Sequence, residues 1–167
     1  MKPAKPRNDK SLSQPKTYDE YCSQFTTEKI PYVKIGRRYF YDPLNLLTYA
    51  REHKMEPFSV GLYLGEEKNI FYPSSALVEL IAERTAKKAF VSDKAAWLFL
   101  CNRDVLMTSV VDANDQELGT NTIVCDVRGN ALGVATVFNN FNSKMKNQVF
   151  LKHRLDKGEY LRREKSN

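Results

Sequence analysis

The chain has 167 residues, of which 42% are hydrophobic and 28% are charged. That length suits one ordinary domain or two small ones and excludes a large multidomain enzyme. The 26 Lys and Arg residues outnumber the 20 Asp and Glu residues, which gives a formal net charge of +6. Because no apolar run approaches the ~18 residues of a membrane span, and none follows the basic N-terminus, we expect neither a transmembrane helix nor a secretory signal.

Residues 1–16 are rich in Lys and Pro and are expected to form a flexible basic arm. Residues 17–87 alternate helical and extended patterns, which predicts a small α/β domain. The predicted elements are, in chain order, a helix at 18–29 capped by Thr17, a hairpin at 32–41, a helix at 43–53 that follows Asp42, strands at 58–64 and 70–72, and a helix that is capped by Ser74 or Ser75 and ends near residue 86.

After residue 87 short strands dominate, so residues 88–167 are predicted to form a second domain. Its predicted elements are a strand at 88–91, a helix at 93–100, strands at 104–111, 120–127, 131–138 and 148–155, and a closing element at 158–162. Many short strands around one helix are typical of a small barrel. The predicted fold class is therefore α+β, with an α/β domain followed by a β-barrel.

The sequence lacks the residue sets that catalysis or metal binding requires. Cys22, Cys101 and Cys125 are widely spaced, which predicts buried apolar side chains in a reducing compartment and no disulfide framework. His53 and His153 complete no zinc motif, and there is no phosphate-binding glycine loop or nucleophile elbow. We therefore expect a protein that is not an enzyme and that uses no cofactor or metal.

Basic side chains are concentrated near the carboxyl end. Residues 138–167 carry 8 basic and 3 acidic side chains, whereas residues 91–137 carry 3 basic and 6 acidic ones. A segregated basic segment is the usual electrostatic footprint of a protein that binds nucleic acid. The same pattern is also compatible with a solvated surface that only keeps the protein in solution.

Within this basic segment, a strand would place Lys152 and Arg154 on one face and His153 on the other. Cations that project from a rigid strand can neutralise phosphates at little ordering cost. Phe141 lies between asparagines in a predicted loop, where it could stack on an unpaired base. The candidate RNA-binding residues are Lys144, Lys146, Lys152, Arg154, Lys157, Arg162 and Arg163.

Residues 88–163 resemble a PUA domain, a small RNA-binding barrel, in the short helix at 93–100 and in the hairpin that contains Gly129 and Gly133. Two positions depart from that pattern, because Asn102 and Thr108-Ser109 stand where PUA domains usually have glycines. From about residue 39 onward, the chain also resembles the Nip-seven ribosome-biogenesis proteins. The segments that carry this resemblance are YFYDP (39–43), VGLYLG (60–65), VRGNALGVATV (127–137) and DKGEYLRRE (156–164).

The resemblance implies a monomeric, non-enzymatic factor that acts in ribosomal RNA processing. Such a factor would bind precursor RNA of the large ribosomal subunit through a basic face of the PUA domain, alongside other assembly proteins. It would be cytoplasmic in an archaeon and nuclear or nucleolar in a eukaryote, with no membrane partner. The alternative is a protein-interaction adaptor that docks assembly factors or an RNase, with RNA contact secondary.

Overall fold

The computed structural model describes residues 14–113, 116–142 and 144–159. The first half of the chain forms a four-stranded antiparallel sheet with the strand order β1-β2-β3-β4 and three accompanying helices. The elements are α1 (Tyr18–Ser23), β1 (Val33–Ile35), β2 (Arg38–Tyr41), α2 (Leu46–Glu52), β3 (Leu62–Glu67), β4 (Phe71–Pro73) and α3 (Ser75–Arg84).

The helix ends follow from local side-chain hydrogen bonds. Thr17 caps α1 as predicted, but α1 stops at Ser23 instead of residue 29. Beyond that end the Thr26 hydroxyl accepts the Glu28 N–H at 3.0 Å, a local bond that competes with helix formation. Ser74 accepts the Leu77 N–H at 3.2 Å and caps α3, which confirms the predicted start of that helix.

Asp42 organises the start of α2 from outside the helix. Its carboxylate accepts the N–H groups of Leu46 and Leu47, each at 2.9 Å, so α2 begins three residues later than predicted. Strand β3 is also shifted relative to the predicted strand at 58–64, because it begins at Leu62 and continues to Glu67. Residues 1–13 of the predicted basic arm lie outside the described residues. At the C-terminal end of that arm, the Pro15 carbonyl accepts the Phe71 N–H at 2.9 Å and connects residue 15 to β4.

The second half of the chain forms a six-stranded sheet with the order β6-β10-β9-β8-β5-β7. Its β5–β8 pair is parallel and the other neighbouring strands are antiparallel. The elements are β5 (Lys88–Val91), α4 (Asp93–Leu100), β6 (Val105–Leu106), a 3-10 turn (Met107–Ser109), β7 (Val110–Ala113), β8 (Asn121–Cys125), β9 (Ala131–Val137) and β10 (Val149–Asp156).

This second sheet curls because its two edge strands are consecutive in the chain. Strands β6 and β7 lie at opposite ends of the strand order, yet only the 3-10 turn separates them. The turn is held by Met107, which is buried and donates its N–H to the Gln148 carbonyl at 2.9 Å. The prediction of one strand over 104–111 is therefore wrong, whereas the α+β class with a barrel-like second sheet is confirmed.

Strands β8 and β9 are covered on both faces, which is why every residue of β9 is buried. On the inner face, Ala135, Val137 and Leu151 pack with Phe99 of α4. On the outer face, Ile123 and Val134 join a core formed with α1, α3 and the first sheet. The two halves of the chain therefore share a hydrophobic core, and a domain boundary near residue 87 stays a prediction.

An aromatic cluster stabilises the first sheet and is completed by one ion pair. The rings of Tyr18 and Tyr39 stack with their centroids 5.0 Å apart. Glu67, in β3, accepts hydrogen bonds from Lys34 Nζ at 2.7 Å and from the Tyr39 hydroxyl. Hydrogen bonding to Lys34 and then to Tyr39 holds the pKa of the Glu67 carboxyl below its ordinary value. The hydrogen bonds from Lys34 and Tyr39 explain how the charged Glu67 side chain is accommodated at the end of β3.

None of the helices in the described part of the chain is long and apolar enough to cross a membrane.

We predict that Gly133→Ala destabilises the protein by about 1–3 kcal/mol, the usual cost of overpacking. A Cβ atom at this position would lie 2.0 Å from the Leu155 carbonyl oxygen, which is backbone and cannot rotate away. Urea denaturation followed by circular dichroism measures the loss. The control is Gly36→Asn, since a side chain there meets no atom within 4 Å and Asn tolerates the φ of +60°. An unchanged midpoint for Gly133→Ala would contradict the prediction.

We predict that Glu67 contributes stability at neutral pH that is lost in acid. Because its pKa is lowered in the folded state, the contribution is complete above the ordinary value of 4.5 and disappears as the pH falls through the folded-state value. The difference in unfolding free energy between wild type and Glu67→Gln should therefore shrink below about pH 5. Glu56→Gln is the control, because Glu56 is exposed and has no hydrogen bond or ion pair within residues 14–113, 116–142 and 144–159. A pH-independent difference for Glu67→Gln would contradict the prediction.

Candidate nucleic-acid interface

The outer face of β10 carries two of the predicted RNA-binding residues side by side. Lys152 pairs with Thr136 of β9, and the Arg154 Nε donates to the Thr136 hydroxyl at 2.8 Å. The Lys152 ammonium lies 3.8 Å from the centroid of the Phe138 ring, two residues along from Thr136. Lys152 and Arg154 therefore share one face even though the β9–β10 register shifts between His153 and Leu155.

His153 lies on the opposite face, as the alternation of a strand predicts. Its ring is 4.8 Å from the ring of Phe99 in α4. Its Nε2 is 2.6 Å from the Asp156 carboxylate, and its backbone N–H donates to Asp104 at 2.8 Å. These contacts give His153 a structural role inside the curled sheet.

A chain of hydrogen bonds fixes the position of the Arg154 side chain. Arg154 donates to Thr136, whose hydroxyl donates to Asn121 Oδ1 at 2.7 Å. Asn121 Nδ2 then donates to Gln24 Oε1, also at 2.7 Å, and this bond joins β8 to the end of α1. Within the described part of the chain, Arg154 forms no ion pair. Its guanidinium is thus oriented by neutral partners and keeps its charge available for an anion.

Lys157 differs from these two cations because a carboxylate already engages it. Its ammonium donates to Glu79 of α3, and the two side chains are 31% and 57% exposed. An exposed pair of this kind adds little stability, but it reduces the positive potential that Lys157 can offer to a phosphate. Lys157 is therefore a weaker candidate for binding phosphate than Lys152 and Arg154.

The loop that joins β9 to β10 carries two further predicted cations. We call residues 138–148 the basic loop; residue 143 lies outside the described part of the chain. Lys144 and Lys146 are exposed in it. The base of the loop is fixed because Asn139 Nδ2 donates to the Val149 carbonyl at 2.7 Å. Phe141 is half exposed, and its ring meets the buried Phe150 ring edge-on at 5.4 Å.

Arg162 and Arg163 lie outside the described residues, as does most of the closing element predicted at 158–162. Their predicted contribution to the interface stays a prediction.

A groove of about 890 Å³ runs between the outer face of the second sheet and the first sheet. Thr136, Arg154 and Lys157 lie along one wall. The other wall includes Glu20 and Glu66, whose charges oppose binding of a polyanion deep in the groove. The more cationic surface therefore lies toward Lys152 and the basic loop.

The three cysteines differ in their burial. Cys22 and Cys125 are buried as predicted, and burial raises the pKa of the Cys22 thiol to about 11. Cys101 is exposed after α4, so the prediction of burial is wrong there.

Asn102, one of the two positions that depart from the PUA glycine pattern, adopts the left-handed conformation with φ of +63°, which Asn tolerates better than most residues. Among residues 14–113, 116–142 and 144–159, no group of three or more His, Cys, Asp or Glu side chains could hold a metal ion.

Sequence reasoning missed Phe138, Thr136 and Asn121 as parts of this surface. Each was assigned only to a strand, because strand alternation indicates which residues share a face and not which face is covered. These residues could have been found by pairing the two predicted strands at 131–138 and 148–155 as neighbours. That pairing places Phe138 and Thr136 beside Lys152 and Arg154.

Comparisons with known proteins agree with this architecture. Residues 87–165 match the family model of the UPF0113 PUA domain. A UPF0113 protein of Archaeoglobus fulgidus is 27% identical over 118 residues, which span 68% of this chain and 67% of that protein. The second half of the chain is therefore a PUA domain, a fold that generally binds RNA, and the predicted resemblance to PUA domains is confirmed.

Two solved structures are also similar. A conserved PUA domain protein from Thermoplasma acidophilum has a TM-score of 0.49 and 18% identity, over 61% of this chain and 69% of its own. A hypothetical protein from Pyrococcus horikoshii has a TM-score of 0.45 and 16% identity, over 57% and 65% of the two chains.

We predict that Thr136→Val destabilises the protein by about 1 kcal/mol or more, whereas Thr136→Ser does not. The valine keeps the shape of the side chain but leaves Asn121 and Arg154 without their shared partner, and Thr136 is only 7% exposed. Serine keeps the hydroxyl and serves as the matched control. Unfolding free energies from urea denaturation measure both changes, and equal stability of the two variants would contradict the role of the hydroxyl.

Proposed function

We propose that this protein, whose second half is a PUA domain, is a non-enzymatic RNA-binding factor of ribosome biogenesis. It binds precursor ribosomal RNA of the large subunit through the outer face of β10 and the basic loop. One observation carries the proposal: Lys152 and Arg154 project from the same face, and neither forms an ion pair with any described residue.

The charge of the surrounding segment supports this assignment. Residues 127–155 contain five basic side chains and no Asp or Glu. Lys144, Lys146, Lys152 and Arg154 all belong to it. Phosphate contacts from Lys and Arg supply most of the affinity of a protein for RNA and fix its position on the backbone. Residues 149–155 of β10 contain no competing carboxylate, which suits that task, and nothing in the task requires a catalytic step.

The ribosomal part of the proposal rests on the resemblance to Nip-seven proteins in the segments 39–43, 60–65, 127–137 and 156–164. On the same basis, other ribosome-assembly proteins are the expected partners of a monomer. The location is then cytoplasmic in an archaeon and nuclear or nucleolar in a eukaryote. Crosslinking in cells, followed by sequencing of the bound RNA, tests this part. Enrichment of large-subunit precursor RNA supports it, and enrichment of transfer or messenger RNA alone overturns it.

The alternative function, a protein-interaction adaptor, is favoured by exposed apolar side chains in the first half of the chain. Leu44 and Phe58 are 76% and 75% exposed, and Tyr49 and Leu62 are also exposed. Exposed apolar surface of this kind often marks a protein-binding site. Copurification of a protein partner at high salt without RNA, with loss of that partner in Phe58→Ala, would favour the adaptor over the RNA-binding factor.

We predict that affinity for unpaired fragments of large-subunit ribosomal RNA falls steeply with salt. About six phosphate contacts to single-stranded RNA give a slope near −4 in a plot of log affinity against log salt, from about −0.7 for each contact. Lys152→Ala and Arg154→Ala should each make the slope shallower by about 0.7. Lys157→Ala should change it less, because Glu79 already engages Lys157.

Fluorescence anisotropy at several salt concentrations measures these slopes. Lys54→Ala is the matched control, because Lys54 is an exposed cation in the first half of the chain, after α2. A flat salt dependence of the wild type, or equal slopes for wild type and Arg154→Ala, would count against the proposed function.

A further inference from the structure

Phe138 is an exposed aromatic residue at the start of the basic loop, beside Lys152. It follows the last residue of β9, and 40% of its surface is exposed. Phe150, which its backbone contacts, is by contrast fully buried in the inner core. The Phe138 N–H donates to the Phe150 carbonyl at 2.8 Å, so the ring is attached to the end of the barrel and not to a free loop.

A cation lies directly over this ring. The Lys152 ammonium is 3.8 Å from the ring centroid, closer than in the other cation–π contacts of the described residues. An exposed cation–π contact is a weak interaction, whereas stacking of a base on an aromatic side chain contributes substantially to binding of single strands. A base can therefore replace the ammonium on the ring, and the released ammonium remains within reach of the same nucleotide.

We infer that Phe138 is a stacking platform for one unpaired base of RNA, with Lys152 binding the phosphate next to that base. The inference rests on the proposed function and adds to it the class of RNA that the surface selects. A base that is paired within a helix presents only its edges to a protein, so a platform of this kind selects unpaired RNA.

The neighbouring residues suit the same ligand. Lys144 and Lys146 of the basic loop supply further positive charge beyond Phe138, and no carboxylate occurs between residues 127 and 155. Phe141 is the nearest competing platform, but within the described residues no cation lies over its ring, and the ring rests edge-on against Phe150. Of the two aromatic residues in the described part of the basic loop, Phe138 is the one with a cation over its ring, and that cation can bind the adjoining phosphate.

The test measures affinity for a single-stranded RNA oligonucleotide by fluorescence anisotropy in Phe138 variants. Phe138→Ala and Phe138→Leu should each bind about tenfold more weakly than wild type, and Phe138→Tyr should bind like wild type. Leucine keeps an apolar side chain at this position, so the Phe138→Leu variant separates loss of stacking from loss of packing. The salt slope of Phe138→Leu should stay unchanged, whereas Lys152→Ala should reduce it by about 0.7.

The same measurement is repeated with a double-stranded RNA of the same sequence. Phe138→Leu should bind this duplex as well as wild type does, because paired bases cannot stack on the ring. Phe58→Ala is the matched control, since Arg38 lies over the exposed Phe58 ring at 4.5 Å in the first half of the chain, away from the basic loop. It should leave affinity within about twofold of wild type, the scatter expected for a neutral change.

The outcomes separate this inference from the function on which it rests. Salt-dependent binding by wild type, with Phe138→Leu equal to wild type, would overturn the stacking platform and leave the RNA-binding factor intact. Equal losses for Phe138→Leu and Phe138→Tyr would also overturn it, because tyrosine stacks as well as phenylalanine. Absence of salt-dependent binding by the wild type would overturn the proposed function, and this inference with it.

Discussion

The structure depends on one constraint, the burial of strands β8 and β9 on both faces. Their inner face closes the curled sheet over Phe99, and their outer face receives α1, α3 and the aromatic cluster of the first half. Burial of apolar surface on two sides stabilises these strands more than burial on one side would. Any side chain that projects beyond the covered area therefore projects from a fixed support.

The outer face changes character where the cover of the first half ends. Ile123 and Val134 lie under that cover, whereas Asn121 and Thr136, two residues away on the same strands, form the hydrogen-bonded line to Arg154. Strand periodicity keeps these residues on one face, so the transition from apolar to polar follows the edge of the first half. The cationic surface is thus a consequence of how far the first half extends over the barrel.

Charge on this surface is graded by the partners of each cation. Arg154 is oriented by a hydroxyl and Lys152 by an aromatic ring, and both partners leave the positive charge in place. Lys157 directly follows the end of β10 and is paired with Glu79 of α3. A polyanion that follows β10 toward the basic loop meets increasing positive potential, because the acidic side chains lie on the side of the groove and of α3.

The sequence by itself determined most of the helices and strands, the hairpin at 32–41, a serine cap at residue 74 or 75, the helix at 93–100 and the cationic character of the carboxyl end. Each of these depends on neighbours within a few residues, through capping, alternation or composition. The sequence also indicated that Lys152 and Arg154 share a face, because a strand alternates whatever it packs against.

Only the tertiary structure decided which cations remain free and which surface they occupy. The partner of Lys157 is 78 residues away, and the line from Arg154 to Gln24 joins residues from both halves of the chain. The strand predicted at 104–111 was divided for the same reason, since Met107 turns the chain where the two edges of the sheet meet. Contacts between residues that are distant in the sequence depend on the fold as a whole, so local sequence patterns do not predict them.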